Sequence, residues 1–219
     1  MNRAIVAISL GTAALAAVPL GAQAAPKPPK QPGQLTLAAQ PNPVVFGRSV
    51  TLSGKLTGPN HDGKSVNLQA DPFPFESFTN VASAMTSATG DYSLTQKPTV
   101  NTRYQARQGG NESAIVTVLV RPAVRLRLSD STPARGQTVR FSGRVCPEHD
   151  GTTLSIQRRF STAYRTVKRT TLQDVPGSPC SSYKRSFRVF RDGRYRSVIA
   201  GHADHSTGRS RSRLVDVHS

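Results

Sequence analysis

From Gln34 onward apolar and polar residues alternate with a period of two along most of the chain, and that alternation predicts strands. Val50, Leu52, Gly54 and Leu56 share one face of a segment whose other face is Ser49, Thr51, Ser53 and Lys55. Extended in the same way, the pattern predicts strands over 35–37, 49–56, 65–70, 78–86, 91–95, 103–107 and 114–120. It predicts a second set over 124–128, 138–145, 153–159, 164–172, 182–189, 194–200 and 209–217. Turn residues punctuate the strands at intervals of roughly eight to twelve residues, which points to all-β sandwiches. No part of this region sustains a helical period.

The two sets are copies of one another. Gly47-Arg48-Ser49-Val50-Thr51-Leu52-Ser53-Gly54 returns as Gly136-Gln137-Thr138-Val139-Arg140-Phe141-Ser142-Gly143, at an offset of 89. His61-Asp62-Gly63 is matched by His149-Asp150-Gly151. Tyr92 and Tyr104 answer to Tyr183 and Tyr195 at an offset of 91. A repeat of this length is a whole domain written twice, since solenoid units are shorter. The expected organisation is a domain over 34–120 and another over 121–219, joined by Arg121-Pro122 with almost no linker.

Before the repeats stand two different segments. Met1-Asn2-Arg3, an apolar run from Ala4 to Val18 and the small residues Ala22-Gln23-Ala24 form the pattern of a secretory signal peptide over 1–24. The run is short for a membrane span. No Cys follows it, and no later stretch is apolar enough to anchor the chain. Residues 25–33 carry four prolines and two lysines and read as an extended linker. The expected location is therefore outside the cytoplasm, secreted or attached to the cell envelope, as a monomer.

Charge separates the two copies. The whole chain is +17, but residues 34–120 hold six Lys and Arg against five Asp and Glu. Residues 121–219 hold twenty against seven, a net +13. A compositional bias of the genome would act on both copies alike, so the difference marks a difference in surface role. In 124–128 Arg125 and Arg127 alternate with apolar residues; in 138–145 Arg140 and Arg144 do the same. Paired in one sheet, these strands put four arginines on one outer face, and Arg158 and Arg159 are expected to extend it. Like charges side by side destabilise a sheet, and an anionic partner would offset that.

The strand count, the Val-x-Leu-Ser-Gly and Val-x-Phe-Ser-Gly strands, and Asn101-Thr102-Arg103-Tyr104 with Asp192-Gly193-Arg194-Tyr195 together resemble a tandem pair of bacterial immunoglobulin-like modules of exported and cell-surface proteins. The resemblance covers 34–219. It implies two antiparallel β-sandwiches of about seven strands each, with Tyr104 and Tyr195 as tyrosine corners whose hydroxyls bond nearby backbone. Such modules serve as spacers, adhesins or accessory domains, and the fold alone selects none of these.

Few residues carry the marks of chemistry. Cys146 and Cys180 are the only cysteines, and in an exported chain a disulfide is the default. The first copy has Thr57 and Thr89 in their places, so the bridge is an addition to the fold. The two His-Asp-Gly triplets read as Asp-Gly turns. His202, Asp204 and His205 stand within four residues, with Asp150 or His149 expected nearby, and are the weak candidates for a metal site. Nucleophile elbows, zincin helices and phosphate loops are all missing, so no catalytic residue and no cofactor is expected. There is no Trp, the repeat-matched tyrosines read as core, and Phe73 and Phe75 form a short apolar loop.

The reading that follows is a non-catalytic binding and spacer protein whose basic second domain attracts anionic envelope or extracellular polymers. One alternative is a dedicated polyanion or nucleic-acid binder; sequence-specific readout is not expected without stacking aromatics. The other is a metal-dependent enzyme or accessory subunit using the 202–205 loop.

Overall fold

The computed structural model describes residues 33–218. The expected signal peptide and the linker up to residue 32 lie outside the described residues. The described residues belong to one compact unit.

The first repeat contains β1 (Ala38–Gln40), β2 (Val44–Val45), β3 (Val50–Lys55), β4 (Ser65–Pro72), β5 (Thr79–Met85), β6 (Asp91–Gln96), β7 (Thr102–Gln108), β8 (Asn111–Glu112), β9 (Val116–Val118) and β10 (Val120–Arg121). The second contains β11 (Ala123–Val124), β12 (Arg127–Leu128), β13 (Thr138–Cys146), β14 (Thr153–Phe160), β15 (Ala163–Thr171), β16 (Ser181–Arg188), β17 (Gly193–Ile199), β18 (Gly208–Arg209) and β19 (Arg213–Val215). No helix occurs among the described residues.

In the first repeat β1, β3 and β6 form one antiparallel sheet; β5, β4 and β7, with β8 and β9 both on β7, form the other. In the second, β11, β12 and β16 all pair with β13, while β15, β14 and β17 carry β18 and β19. This is the strand order of an immunoglobulin-like sandwich, and it occurs twice. The inward alternation of the strands fills the space between sheets. Leu52, Leu68 and Val118 are fully buried in the first repeat, and Phe141, Leu154, Ile156 and Ile199 in the second. Phe141 stacks on Phe187 at 4.4 Å and tilts against Tyr195 at 5.0 Å.

The strand expected over 124–128 is in fact two, β11 and β12, and its counterpart in the first repeat breaks in the same place. There Leu35 bridges Leu56, and β1 begins only at Ala38. The cause is a repeated device. The Tyr183 hydroxyl donates to the Arg125 carbonyl at 2.7 Å and lies 2.7 Å from Ser197 Oγ. The Tyr92 hydroxyl donates to the Thr36 carbonyl. Opposite each carbonyl stands the glycine of the Ser-Gly pair, Gly143 or Gly54. A Cβ at either position would run into that carbonyl and the tyrosine hydroxyl. Gly, Tyr and a freed carbonyl are thus one structural unit, and this explains why those residues recur together.

That result corrects the expected tyrosine corner. Tyr104 and Tyr195 are each 3% exposed, as core residues should be. The hydroxyl-to-backbone bonds expected of them are made by Tyr92 and Tyr183, one strand earlier. The strand breaks at Thr36 and Arg125 leave the carbonyls free for those hydroxyls. Tyr92→Phe and Tyr183→Phe should each lower unfolding free energy by about 1 kcal/mol, because a part-buried hydrogen bond is lost. Tyr104→Phe and Tyr195→Phe should lower it by less, as read from urea midpoints; the reverse ranking would refute this assignment. Burial pushes the phenols of Tyr92, Tyr104 and Tyr183 up to about 12. The fold therefore favours their neutral form, and the unfolded chain releases those protons first. Stability should hold below the ordinary phenol value of 10.0 and fall as pH rises from there toward 12.

The repeats differ most in the loop after the fifth long strand, β7 or β17. In the first, Gly109-Gly110 joins β7 to β8; in the second, residues 200–207 join β17 to β18. Tyr104 pairs with Val116 and Tyr195 with Arg213, so the repeat offset grows from 91 to 97. The extra residues reach the first repeat. Asn101 donates from its backbone N–H to the Asp204 carbonyl at 2.8 Å and from Nδ2 to the Ala203 carbonyl at 3.0 Å. Its Oδ1 accepts from the Val120 N–H at 2.8 Å. In the second repeat Asp192 holds the equivalent position, and its Oδ1 accepts from the Val217 N–H at 2.6 Å. The Ser206 N–H donates to the Val120 carbonyl at 2.7 Å.

Cys146 and Cys180 are disulfide-bonded, as expected, with Cα atoms 4.4 Å apart. The bridge ties the end of β13 to the start of β16, beside the pair Val145 and Ser181. It therefore lies within one sheet and does not cross the sandwich.

Candidate anion-binding face and histidine cluster

Strands β11, β12, β13 and β16 pair as the alternation required, and the outer face of their sheet is cationic. The Arg125 N–H donates to the Arg144 carbonyl at 2.9 Å. Arg127 stands opposite Ser142, which faces Lys184 on its other side; Arg140 faces Ser186 and Arg144 faces Ser182. Arg125, Arg127, Arg140, Arg144 and Lys184 are all exposed. They surround a shallow depression of about 590 Å³ floored by Ser142, Gly143 and the edge of Tyr183. The register sets a serine beside three of the arginines, so only Arg125 and Arg144 meet directly. The repulsion is milder than the sequence alone suggests.

No carboxylate offsets this charge. Among the described residues, every Lys or Arg within 4.0 Å of a carboxylate belongs to the first repeat: Lys55 with Asp91, Arg103 with Asp71, and Arg107 with Glu112. The face thus offers guanidinium and ammonium donors, with serine hydroxyls between them, to an anion arriving from solvent. That is a suitable surface for sulfate, phosphate or carboxylate groups strung along a polymer.

Arg158 and Arg159 do not join it. Both lie on β14, which pairs with β15 and β17 in the opposite sheet. Arg158 is half-buried, donates from Nη2 to the Asp192 carbonyl at 2.6 Å and lies over the Phe160 ring at 5.0 Å. Arg159 donates from Nε to the Ser161 carbonyl at 3.0 Å. The cationic surface continues around the other edge instead. Arg213 Nε reaches the Leu126 carbonyl at 3.4 Å, and Arg211 and Arg213 line a second hollow of about 440 Å³ with Arg125 and Arg127. Lys184 is the fifth cation of the face, set there by the alternation Ser182, Lys184, Ser186 on β16.

On the opposite sheet Arg165, Lys168 and Arg169 are exposed along β15, while Arg196 is held against the protein. Arg196 donates from Nε to Gln157 Oε1 at 2.9 Å and lies 3.8 Å above the Tyr164 ring. Burial, and then the neighbouring charge of Arg209, lowers its pKa.

The 202–205 loop does gather ligand-type side chains, but not the three expected. Asp204 and His205 come together with His149, from the loop after β13, with the three ligand atoms within 4.8 Å of one another. His202 is exposed, with its ring 6.5 Å from that of His149. His149, which opens a triplet that reads as a turn and was expected nearby, takes the place of His202. The turn is real, with Gly151 at φ +75°, and the histidine that opens it points into the cluster. Burial raises the carboxyl of Asp204, but the His205 hydrogen bond and charge outweigh it, so the net shift is downward. In the short apolar loop at Phe73 and Phe75, Phe73 is exposed and Phe75 is half-buried. Phe75 lies edge-on to Phe73 and under Arg103, whose guanidinium is 4.2 Å from its centroid.

The fold and site define a double immunoglobulin-like sandwich with a cationic face on the sheet of β11, β12, β13 and β16. No protein-family model matches the chain, and none of the curated proteins is similar to it. Among solved structures it is similar to the "D0-D1 domain of Intimin" at 10% identity and a TM-score of 0.33, over 84% of this chain and 99% of that one. The assignment of the fold rests on strand order and register.

Proposed function

We propose that this chain is an exported, non-catalytic binding and spacer protein that attaches to anionic polymers through the outer face of β11, β12, β13 and β16. The carrying observation is five exposed cations on one sheet face with no carboxylate within ion-pair distance. Export is supported by the leader pattern over 1–24 and by the disulfide. The spacer role is supported by the joint, where Asn101, Ser206 and the 200–207 loop bond one repeat to the other and leave little freedom to hinge.

A panel of polymers tests the reading. The full mature chain should bind heparin, a polyphosphate-backbone polymer and duplex DNA to similar degrees, and should not bind a neutral glucan of the same length. None of the polymers should be cleaved. Selective binding to the neutral polymer, or turnover of any of them, would overturn the proposal.

A further inference from the structure

His205 is 3% exposed and lies where the two repeats meet. Its Nε2 is 2.8 Å from the Thr99 carbonyl of the first repeat, and its Nδ1 is 2.8 Å from Asp204 Oδ2. Both neighbours are acceptors, and a neutral imidazole has a single N–H. Either a second proton or another cation therefore lies between one ring nitrogen and its acceptor, and at Nδ1 that acceptor is a carboxylate. His149 poses the complementary problem. Its Nδ1 is 2.9 Å from the Pro147 carbonyl, so that nitrogen carries the proton and donates. Its Nε2 is then a lone pair, and that atom is buried without a partner.

A single cation answers both. In metal sites each ligating histidine uses its second ring N–H to donate to a carbonyl or carboxylate, which fixes the tautomer and aims the lone pair. Here Thr99 and Pro147 supply those two carbonyls, one from each repeat. The ring nitrogens left over are His205 Nδ1, which is beside the Asp204 carboxylate, and the unpartnered His149 Nε2. The rings meet nearly edge-to-face at 5.1 Å. Tetrahedral zinc with ligand bonds of about 2.0–2.1 Å separates its ligand atoms by roughly 3.3 Å. His205 Nδ1 and Asp204 Oδ2 are 2.8 Å apart and the three ligand atoms lie within 4.8 Å of one another, so small side-chain rotations suffice.

We infer that His149, Asp204 and His205 form a binding site for a divalent transition metal of the zinc class, with a fourth position open to water. The metal replaces the proton between His205 and Asp204 and occupies the lone pair of His149. It pins the 200–207 loop to the loop after β13, and it leaves the Nε2 proton of His205 committed to Thr99. The site is a clamp at the joint and is independent of the cationic face. The first repeat contains an internal comparison. His61, the counterpart of His149, has its two ring nitrogens 2.7 Å and 3.1 Å from the carbonyls of Gly58 and Ala88, with no Asp-His pair beside it.

The test is calorimetric titration of the untagged, chelator-treated chain with Zn²⁺, together with the melting temperature at each zinc concentration. The expected result is one zinc per chain and a melting temperature that rises with zinc. His149→Gln should weaken zinc binding by more than the ~10–100-fold that loss of an outer partner causes. Asp204→Asn should weaken it too, whereas His61→Gln and His202→Gln should bind as the parent does. The His149→Gln and Asp204→Asn chains should melt close to the parent when zinc is absent, which separates ligand loss from misfolding. Absence of stoichiometric binding, binding untouched by His149→Gln, or equal loss in His202→Gln would overturn the assignment.

Discussion

Replacing Arg125, Arg127, Arg140 and Arg144 by Gln should flatten the salt dependence of polyanion binding. Each phosphate or sulfate neutralised by a cation releases counterions, so log affinity falls linearly with log salt, with a slope near −0.9 per contact on duplex DNA. Four contacts predict a loss of about 10²-fold between 50 and 200 mM salt. The quadruple variant should lose most of that slope and bind weakly even at the lower concentration. The loss should be about equal on heparin and DNA, because a charged sheet face reads neither base nor sugar pattern. Arg158→Gln with Arg159→Gln is the control. Those side chains are held to the Asp192 and Ser161 carbonyls on the opposite sheet, and their removal should alter the slope little. A parental slope in the quadruple variant would reduce the face to a solvated surface.

The second large effect is expected from the disulfide. Cys146 and Cys180 close a segment of 34 residues, for which the chain-entropy account gives roughly 3–4 kcal/mol of stabilisation. The double Ser variant should lose about that much by urea unfolding. The loss should fall on the second repeat. Amides of β13 and β16 should exchange faster, while those of β3 and β6, which pair without a bridge, should keep their protection. Two alkylatable thiols in the unreduced native chain, or a midpoint unmoved by the double Ser variant, would contradict this.

The sequence disclosed the sandwiches because the strands are buried on one face only. Val50, Leu52, Val139 and Phe141 are fully buried while Thr51 and Arg140 are exposed, so a period of two was visible without structural help. It disclosed four of the five central cations for the same reason. It misplaced Arg158 and Arg159 because alternation gives a residue its side of a strand and not the sheet to which the strand belongs. It named the wrong tyrosines because both pairs repeat at the same offset. Only the approach of strands at Gly54 and Gly143 shows which hydroxyl meets a free carbonyl. The histidine cluster was half legible: Asp204 and His205 are neighbours in sequence, but His149 joins them only through the folding of two distant loops.

The matched positions 101 and 192 give this molecule a direction. Each caps the final strand of its own repeat through Oδ1, and asparagine and aspartate do that equally well. Only the amide has hydrogens to give, and Asn101 gives one to Ala203 in the following repeat. The carboxylate of Asp192 has none. If the repeats exchanged places, acceptor would face acceptor at the joint and the longer loop would be on the wrong side of it. Two copies that began as the same sequence have become a head and a tail, and part of the difference between them is a single atom, nitrogen in one and oxygen in the other.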